Sequence, residues 1–447
     1  MRQIKKWQEP IYAIGGFGPG FLYQIGLTYL LYFYRPAQAL QNKGALIFAP
    51  AAGFAAGMLV ARILDGLVDI PIASWTDNMK SKWGRRRPLM LLGMIPAAIA
   101  FILLWYPPFP VAGMTDGNAG NAIYIAIMSS VFFFFYTLMT VPYLASLSEL
   151  VKDENSRVRV ASWQTFFNTA SYVLVYVVAP IMFDKFGVRG TVWLLLPCII
   201  SFIGPLLVIK EESTLRKTDT GETPVAAPAD TDVSIWQSFR MTLTNRTFGI
   251  YMLSLATFFF GLQFFLGGVS YMALDMMGLT QTQLGFMNAA AFAPVPIMLL
   301  IFNFIARKKG AKLGFQIALL VFAAVMILYP LGWTKFSLPL SPLLIGIILG
   351  GIGSFSVGVF FTIPYAFPSQ IAAEEAAVTG KNRAGMYFAV QGLINQFVGS
   401  LAGSALALLL DWQYGVLLIG PIAGVACILS FFFIRPYPLG KPSPSKA

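Results

Sequence analysis

The sequence predicts an all-α membrane protein with twelve transmembrane helices in two six-helix bundles and both termini cytoplasmic. Three observations predict it. Of 447 residues, 57% are hydrophobic and only 11% charged, with mean hydropathy +0.70; a soluble domain carries about 25% charged residues. Apolar runs recur at a length that suits a hydrocarbon core about 30 Å thick, which takes about 20 residues of helix. One long polar stretch, 210–246, divides those runs into two sets of six.

The spans are expected at 11–34, 45–75, 89–110, 121–148, 160–183, 190–209, 247–274, 282–306, 313–333, 341–370, 384–410 and 415–434. The first is read as retained, because MRQIKKWQEP lacks the small-residue cleavage pattern of a signal peptide. The middle of the long polar stretch, TDTGETPVAAPADTD, is linker-like in composition. The expected organisation is therefore an N-terminal bundle at 1–209, a cytoplasmic linker at 210–246, and a C-terminal bundle with a short tail at 247–447.

Lysine and arginine placement orients the set. With a cytoplasmic N-terminus, the inner segments hold 3, 5, 3, 5, 4, 2 and 3 basic residues in chain order. The outer loops hold Arg35, Lys43, Lys185, Arg189 and Lys335, and Arg62 lies within a span. The net charge of +12 is thus a topology signal, and no nucleic-acid partner is needed to explain it. The absence of histidine excludes imidazole relays and His-ligated metals, and Cys198 and Cys427 in apolar runs read as packed free thiols.

The halves repeat each other. Thr140-Val141-Pro142-Tyr143 in span four returns as Thr362-Ile363-Pro364-Tyr365 in span ten, 222 residues later. Arg157, Gln164 and Asn168 are echoed by Arg383, Gln391 and Asn395 at offsets of 226 and 227. Parallel six-helix repeats are the architecture of the major facilitator superfamily, in which substrate sits near the midplane between halves.

Span two carries the intramembrane charge. Arg62, Asp65 and Asp69 share one helical face by their spacing of three and four. Asp69 falls about 9 Å and Asp65 about 15 Å from the inner end of the span, near the midplane. One cation against two carboxylates leaves one negative charge, which is costly in a membrane until a cation or proton neutralises it. A buried pair of Arg62 with one aspartate accounts for one carboxylate and not for both. The expected site is a coupling-ion site for Na⁺ or H⁺, with no cofactor.

Asp77 and the run Gly84-Arg85-Arg86-Arg87 follow in the loop between spans two and three. Their spacing resembles the superfamily's signature cytoplasmic loop, which implies a latch on the inward-closed state. Positive-inside anchoring alone accounts for the arginines but not for Asp77 and Gly84. Gly53-x-x-x-Gly57, Gly346-x-x-x-Gly350 and Gly399-x-x-x-Gly403 are expected packing positions. Pro142, Pro294, Pro296 and Pro364 are expected kinks. Polar groups at membrane depth supply candidates for a substrate cavity: Tyr23, Gln24, Tyr136, Tyr143, Thr165, Asn168, Gln391, Asn395 and Gln396.

From roughly Gly15 to span eleven, the chain resembles the glycoside–pentoside–hexuronide cation symporters, the family typified by melibiose permease. The resemblance rests on several stretches. Arg62-x-x-Asp65-x-x-x-Asp69 is followed by Ser81-Lys82-Trp83-Gly84-Arg85, and Tyr136-Thr137 precedes Pro142. Asp153 and Arg157 follow span four, and Gly380-Lys381-x-Arg383-x-Gly385 precedes span eleven. It implies that Asp65 and Asp69 are the Na⁺, Li⁺ or H⁺ ligands, assisted by Thr137, with Thr140 where the family has a further carboxylate. Val68 replaces the family's asparagine, and Pro71 comes one residue late. The positions that hold sugar in the family carry Gly20, Thr140, Leu144 and Thr165, and Gln396 replaces a lysine beside the retained Gln391. Gln370 stands where an aspartate is usual. The ion machinery is kept and the sugar-holding set is largely changed.

Three readings follow. One is a monomeric secondary transporter of a bacterial cytoplasmic membrane, coupling uptake of a glycoside-like solute to Na⁺ or H⁺. A second keeps the fold and changes the cargo to a lysolipid or other amphiphile, since Val141-Pro142-Tyr143 also resembles the sodium-dependent lysophospholipid transporters. A third is a receptor or scaffold that keeps the fold without transport. An enzyme is not expected, because no nucleophile–base pair is visible.

Overall fold

Inside a bilayer the backbone must satisfy its own hydrogen bonds, and the computed structural model does so with helices alone among its described residues. Those residues are 4–150, 154–211, 235–336, 339–379 and 384–438. The side chains of Asp77, Arg157, Thr165 and Tyr365, and all of Asp153, Lys381 and Arg383, lie outside the described residues.

The chain forms two compact units, Met1–Gly221 with Thr280–Gly285, and Glu222–Leu279 with Phe286–Ala447. The first contains α1 (Phe17–Tyr34), α2 (Ala51–Asn78), α3 (Arg87–Leu103), α4 (Ala119–Leu150), α5 (Glu154–Val173) and α6 (Ala179–Leu195). The second contains α7 (Arg246–Tyr271), most of α8 (Gln281–Phe292), α9 (Val295–Lys309) and α10 (Ala311–Leu328). It ends with α11 (Pro342–Thr379), α12 (Ala384–Leu409) and α13 (Gly415–Ile434). Of the expected linker, 212–234 lies outside the described residues, and Ile235–Thr244 is helical.

Among the described residues, nine helical runs are long and apolar enough to cross a membrane, against twelve expected. The difference has identifiable sources. Phe166–Val208 is one run of 43 residues, because helix continues through the π-helical turn at Leu174–Val178, inside the expected fifth span, and across the kink at Gly187 into the sixth. As straight helix it would extend about 65 Å, about twice the hydrocarbon thickness. Gly187, at φ 65°, breaks it between the expected fifth and sixth spans. The apolar helix α3 has only 17 residues. The 18 residues of α1 include Gln24, Thr28 and several tyrosines, which dilute its hydropathy. The expected eighth span is divided at Pro294, where α8 stops and α9 starts, whereas α4 and α11 remain helical through Pro142 and Pro364.

Small residues set the helix contacts in each unit. A Cβ on Gly53 would lie 2.7 Å from Ala122 Cβ, and one on Gly57 3.0 Å from the Ala122 carbonyl oxygen. Only glycine lets α2 lie so close to α4. Gly93 does the same for α3, where a Cβ would lie 2.7 Å from the Phe135 carbonyl oxygen. In the second unit Gly346 and Gly350 seat against Met287, but Gly403 faces open space, so the third expected glycine pair is not a close contact. Away from these seams, Arg159 clamps the buried Glu9 with two hydrogen bonds, of 3.0 and 2.8 Å, tying the N-terminal segment to α5.

Candidate cation site

An arginine in a membrane interior is retained only with partners for its donors. Arg62 and Asp65, each 3% exposed, face each other one turn apart on α2. Arg62 Nη1 donates to Asp65 Oδ2 at 2.8 Å, and Nη2 donates to the Tyr23 hydroxyl of α1 at 2.5 Å. The guanidinium carbon lies 4.6 Å from the Phe133 ring centroid and 5.1 Å from that of Tyr23, within cation–π range. Tyr23 stacks on Tyr136 at 5.2 Å. From α4, Thr137 Oγ1 donates to Asp65 Oδ1 at 3.0 Å. Three helices thus fix one carboxylate, and the Gly53–Gly57 contact of α2 with α4 positions two of them.

This geometry leaves Asp65 with acceptor capacity. An ionised carboxylate offers about four lone-pair sites, and each oxygen here receives one donor. Asp65 also lines a cavity of about 250 Å³ with Leu64, Val68, Ser130, Val131, Phe134 and Phe135, a wall with little polarity. Asp69 is half-buried one turn further along. Hard oxygen donors with unused acceptor sites at membrane depth suit a monovalent cation or a proton.

The structure separates the other expected residues into distinct surroundings. Thr140, expected beside the cation ligands, donates to the Tyr136 carbonyl of its own helix at 2.9 Å and is not a hydrogen-bond partner of Asp65. Tyr23 and Tyr136, expected at a substrate cavity, form the aromatic wall around Arg62. Gln24 is buried and donates to Tyr176 at 2.6 Å. Tyr143 is buried in a cluster with Tyr12, whose hydroxyl donates to the Tyr143 carbonyl at 2.7 Å, and with Gln164 at 3.1 Å. Asn168 lies by Gly20, where a Cβ would be 3.2 Å from Asn168 Oδ1. In the second unit, Gln391 accepts from Tyr251 at 2.7 Å and donates to the Pro364 carbonyl at 2.9 Å. Gln164 and Gln391 therefore each bind the Thr-x-Pro-Tyr segment of their own unit. Asn395 Oδ1 is buried without a hydrogen-bond partner, and Gln396 follows it on α12.

At the expected latch, Gly84 has φ +90° and a Cβ there would come within 2.2 Å of Glu211 Cβ. Arg85 and Arg87 are half-buried and Arg86 is buried. Glu211 Oε2 accepts from the Arg86 and Arg87 amides at 2.9 and 3.3 Å, capping α3. Sequence reasoning missed this carboxylate: it stands 124 positions from Arg87, at the start of a polar stretch whose charges look uniformly solvated. Tyr23 as the partner of Arg62 was equally hidden by a separation of 39 residues.

A family model described as MFS/sugar transport protein matches residues 11–416. A Synechocystis protein described as an uncharacterized symporter is 28% identical over 226 residues, 49% of this chain and 38% of that relative. The Escherichia coli inner membrane symporter YicJ is 29% identical over 164 residues, 36% of this chain and 32% of the relative. These matches span less than half the length of either relative. The crystal structure of the nucleoside transporter NupG aligns with a TM-score of 0.62 at 14% identity, covering 96% of this chain and 98% of NupG, a likeness of fold. With an all-helical chain, multiple membrane-spanning runs and a family match over most of its length, the protein is an integral multi-pass membrane protein that belongs to the MFS/sugar transport family.

Proposed function

We propose that this chain is a secondary active transporter that couples the movement of a monovalent cation, Na⁺ or H⁺, to symport of a sugar-like small solute by alternating access. The observation that carries the reading is Asp65: a carboxylate held at membrane depth by Arg62 and Thr137, with unused acceptor sites beside a cavity. Asp69 supplies the second carboxylate. The sugar class is supported by the description of the family model, and symport by the printed names of the relatives. The topology that fits is twelve spans with both termini cytoplasmic. The break at Gly187 divides the 43-residue run, while α1 and the 17-residue α3 supply two further crossings. A bacterial inner membrane is the setting that fits.

In this scheme a cation bound near Asp65 and Asp69, or a proton on one of them, offsets carboxylate charge that is costly in the bilayer interior. A ligand shifts the equilibrium between outward- and inward-open states only by its differential affinity for them. Charge on the Asp65 carboxylate gives such a difference if the two states hydrate it unequally.

A thermal-shift panel of glycosides on the purified full chain, in Na⁺ or in choline at several pH values, tests the reading. Ligands that bind only the folded state raise Tm. A glycoside that stabilises more in Na⁺ than in choline supports sodium symport, and one whose effect follows pH instead supports proton symport. A panel in which only lysolipids shift Tm overturns the sugar assignment.

A further inference from the structure

Among the described residues of the first unit, one charged side chain at the other end of the helices is set against aromatic rings rather than a counterion. Arg189, just after the Gly187 break, donates through Nε to the Trp105 carbonyl at 2.8 Å. Its guanidinium carbon lies 5.2 Å from the Phe33 ring centroid, 5.8 Å from Phe48 and 4.8 Å from Tyr106. Among the described residues it makes no ion pair; at that end Asp116 is paired with Arg35 at 2.6 Å, and Asp184 accepts from the Thr282 amide and hydroxyl at 2.7 and 2.6 Å. The aromatic faces orient the guanidinium without neutralising it.

This cation borders a cavity of about 430 Å³, whose other walls include Phe33, Leu40, Leu46, Phe48 and Phe186. That volume is within the range of about 300–1,000 Å³ typical of ligand sites. The walls carry almost no hydrogen-bonding side chains besides Arg189, which argues against a sugar as occupant. Leu46 and Phe186, at 52% and 53% exposure, mark its open side. Close by, the Trp193 indole donates to the Tyr106 hydroxyl at 2.9 Å, with both rings substantially exposed. An exposed Trp–Tyr pair at the end of membrane-spanning helices marks the headgroup level of a bilayer. Tyr106 also lies against Arg189. The geometry therefore sets one uncompensated guanidinium at headgroup depth over an apolar chamber.

We propose that this chamber is a binding site for a membrane phospholipid with a net anionic headgroup, separate from the Asp65 site. Arg189 binds the phosphate and an acyl chain fills the cavity. The guanidinium keeps its two terminal nitrogens for phosphate oxygens, the geometry in which Arg is most effective. Basic pockets between transmembrane helices bind anionic lipid headgroups by this combination of charge and apolar wall. The bound lipid would bridge the end of α1, the loop that follows it, and the start of the segment after Gly187.

The test uses the purified full chain in detergent, titrated with dioleoyl phosphatidylglycerol or dioleoyl phosphatidylcholine, with Tm as the readout. The wild type is expected to gain stability from phosphatidylglycerol and much less from phosphatidylcholine. Arg189→Gln should weaken the phosphatidylglycerol response about tenfold in half-saturating concentration, the loss expected for one charge-assisted hydrogen bond. Leu46→Trp, which fills the chamber from an exposed position and leaves Arg189 intact, should do the same and decides the matter should Arg189→Gln not fold. Equal responses to the two lipids, or an unchanged response in Leu46→Trp, overturns the proposal. So does an equal shift with inorganic phosphate alone, which would make Arg189 a simple anion site.

Discussion

Asp65 receives two donors of different kind, a guanidinium and a hydroxyl, and they have separable consequences. Arg62 sets the charge balance, and Thr137 orients the oxygen that Arg62 does not engage. Hydrogen bonds to a charged group are worth about 1.5–3 kcal/mol. Thr137→Val keeps the volume and removes the donor, so the cation concentration for half-maximal uptake should rise about tenfold or more. Thr140→Val removes a hydroxyl that serves only its own helix turn, and should leave that concentration unchanged. Equal behaviour of the two variants would remove the Thr137 contact from the mechanism. Much of this was readable at the residue scale: the spacing of Arg62 and Asp65 fixes their meeting on one helix face, and the family resemblance pointed to Thr137. The ring of Phe133 and the hydroxyl of Tyr23 were not readable, since helix-to-helix register decides which aromatic meets Arg62.

Among the elements, α3 shows how a loop gains a partner that local pattern does not announce. Its first amides point at Glu211, and glycine stands at 84 because φ is +90° there and a side chain would collide with that same residue. A carboxylate at a helix N-terminus satisfies free amides and complements the helix dipole. Glu211→Ala should therefore lower stability by about 1 kcal/mol, with Glu211→Gln intermediate. Gly84→Ala should lower it by about 1–3 kcal/mol, from the positive φ alone. Denaturant melts of the detergent-solubilised protein measure both, and wild-type melting in all three variants would show that Glu211 does not cap α3. Hydropathy locates α4 and α13 well, but it cannot see that helix continues across Gly187, which a single positive-φ glycine kinks without ending. At Pro294, expected as a kink, α8 has ended and α9 begins, because proline has no N–H to continue the helix ladder.

For the whole molecule, the internal repeat was the strongest sequence signal, and it has a physical counterpart in each unit. Gln164 binds Tyr143 in the first, and Gln391 binds the Pro364 carbonyl in the second. The charges do not repeat: Arg62, Asp65 and Asp69 belong to the first unit, and α8 and α9 carry no carboxylate. Fold class followed from composition because an 11% charged chain has few alternatives to membrane helices. The cargo did not follow, because Gln24, Tyr143 and Gln391 are each engaged by their own unit's helices, and polar residues at membrane depth serve packing as readily as recognition. The central claim, that Asp65 couples cation movement to substrate movement, is tested most directly in proteoliposomes containing Asp65→Asn. Asparagine keeps the size of the side chain, removes its charge, and can accept from Arg62 while its amide donates to the Thr137 hydroxyl. The account predicts that accumulation driven by a cation gradient is lost while exchange of labelled for unlabelled substrate continues. Gradient-driven accumulation at the wild-type level in that variant would contradict it.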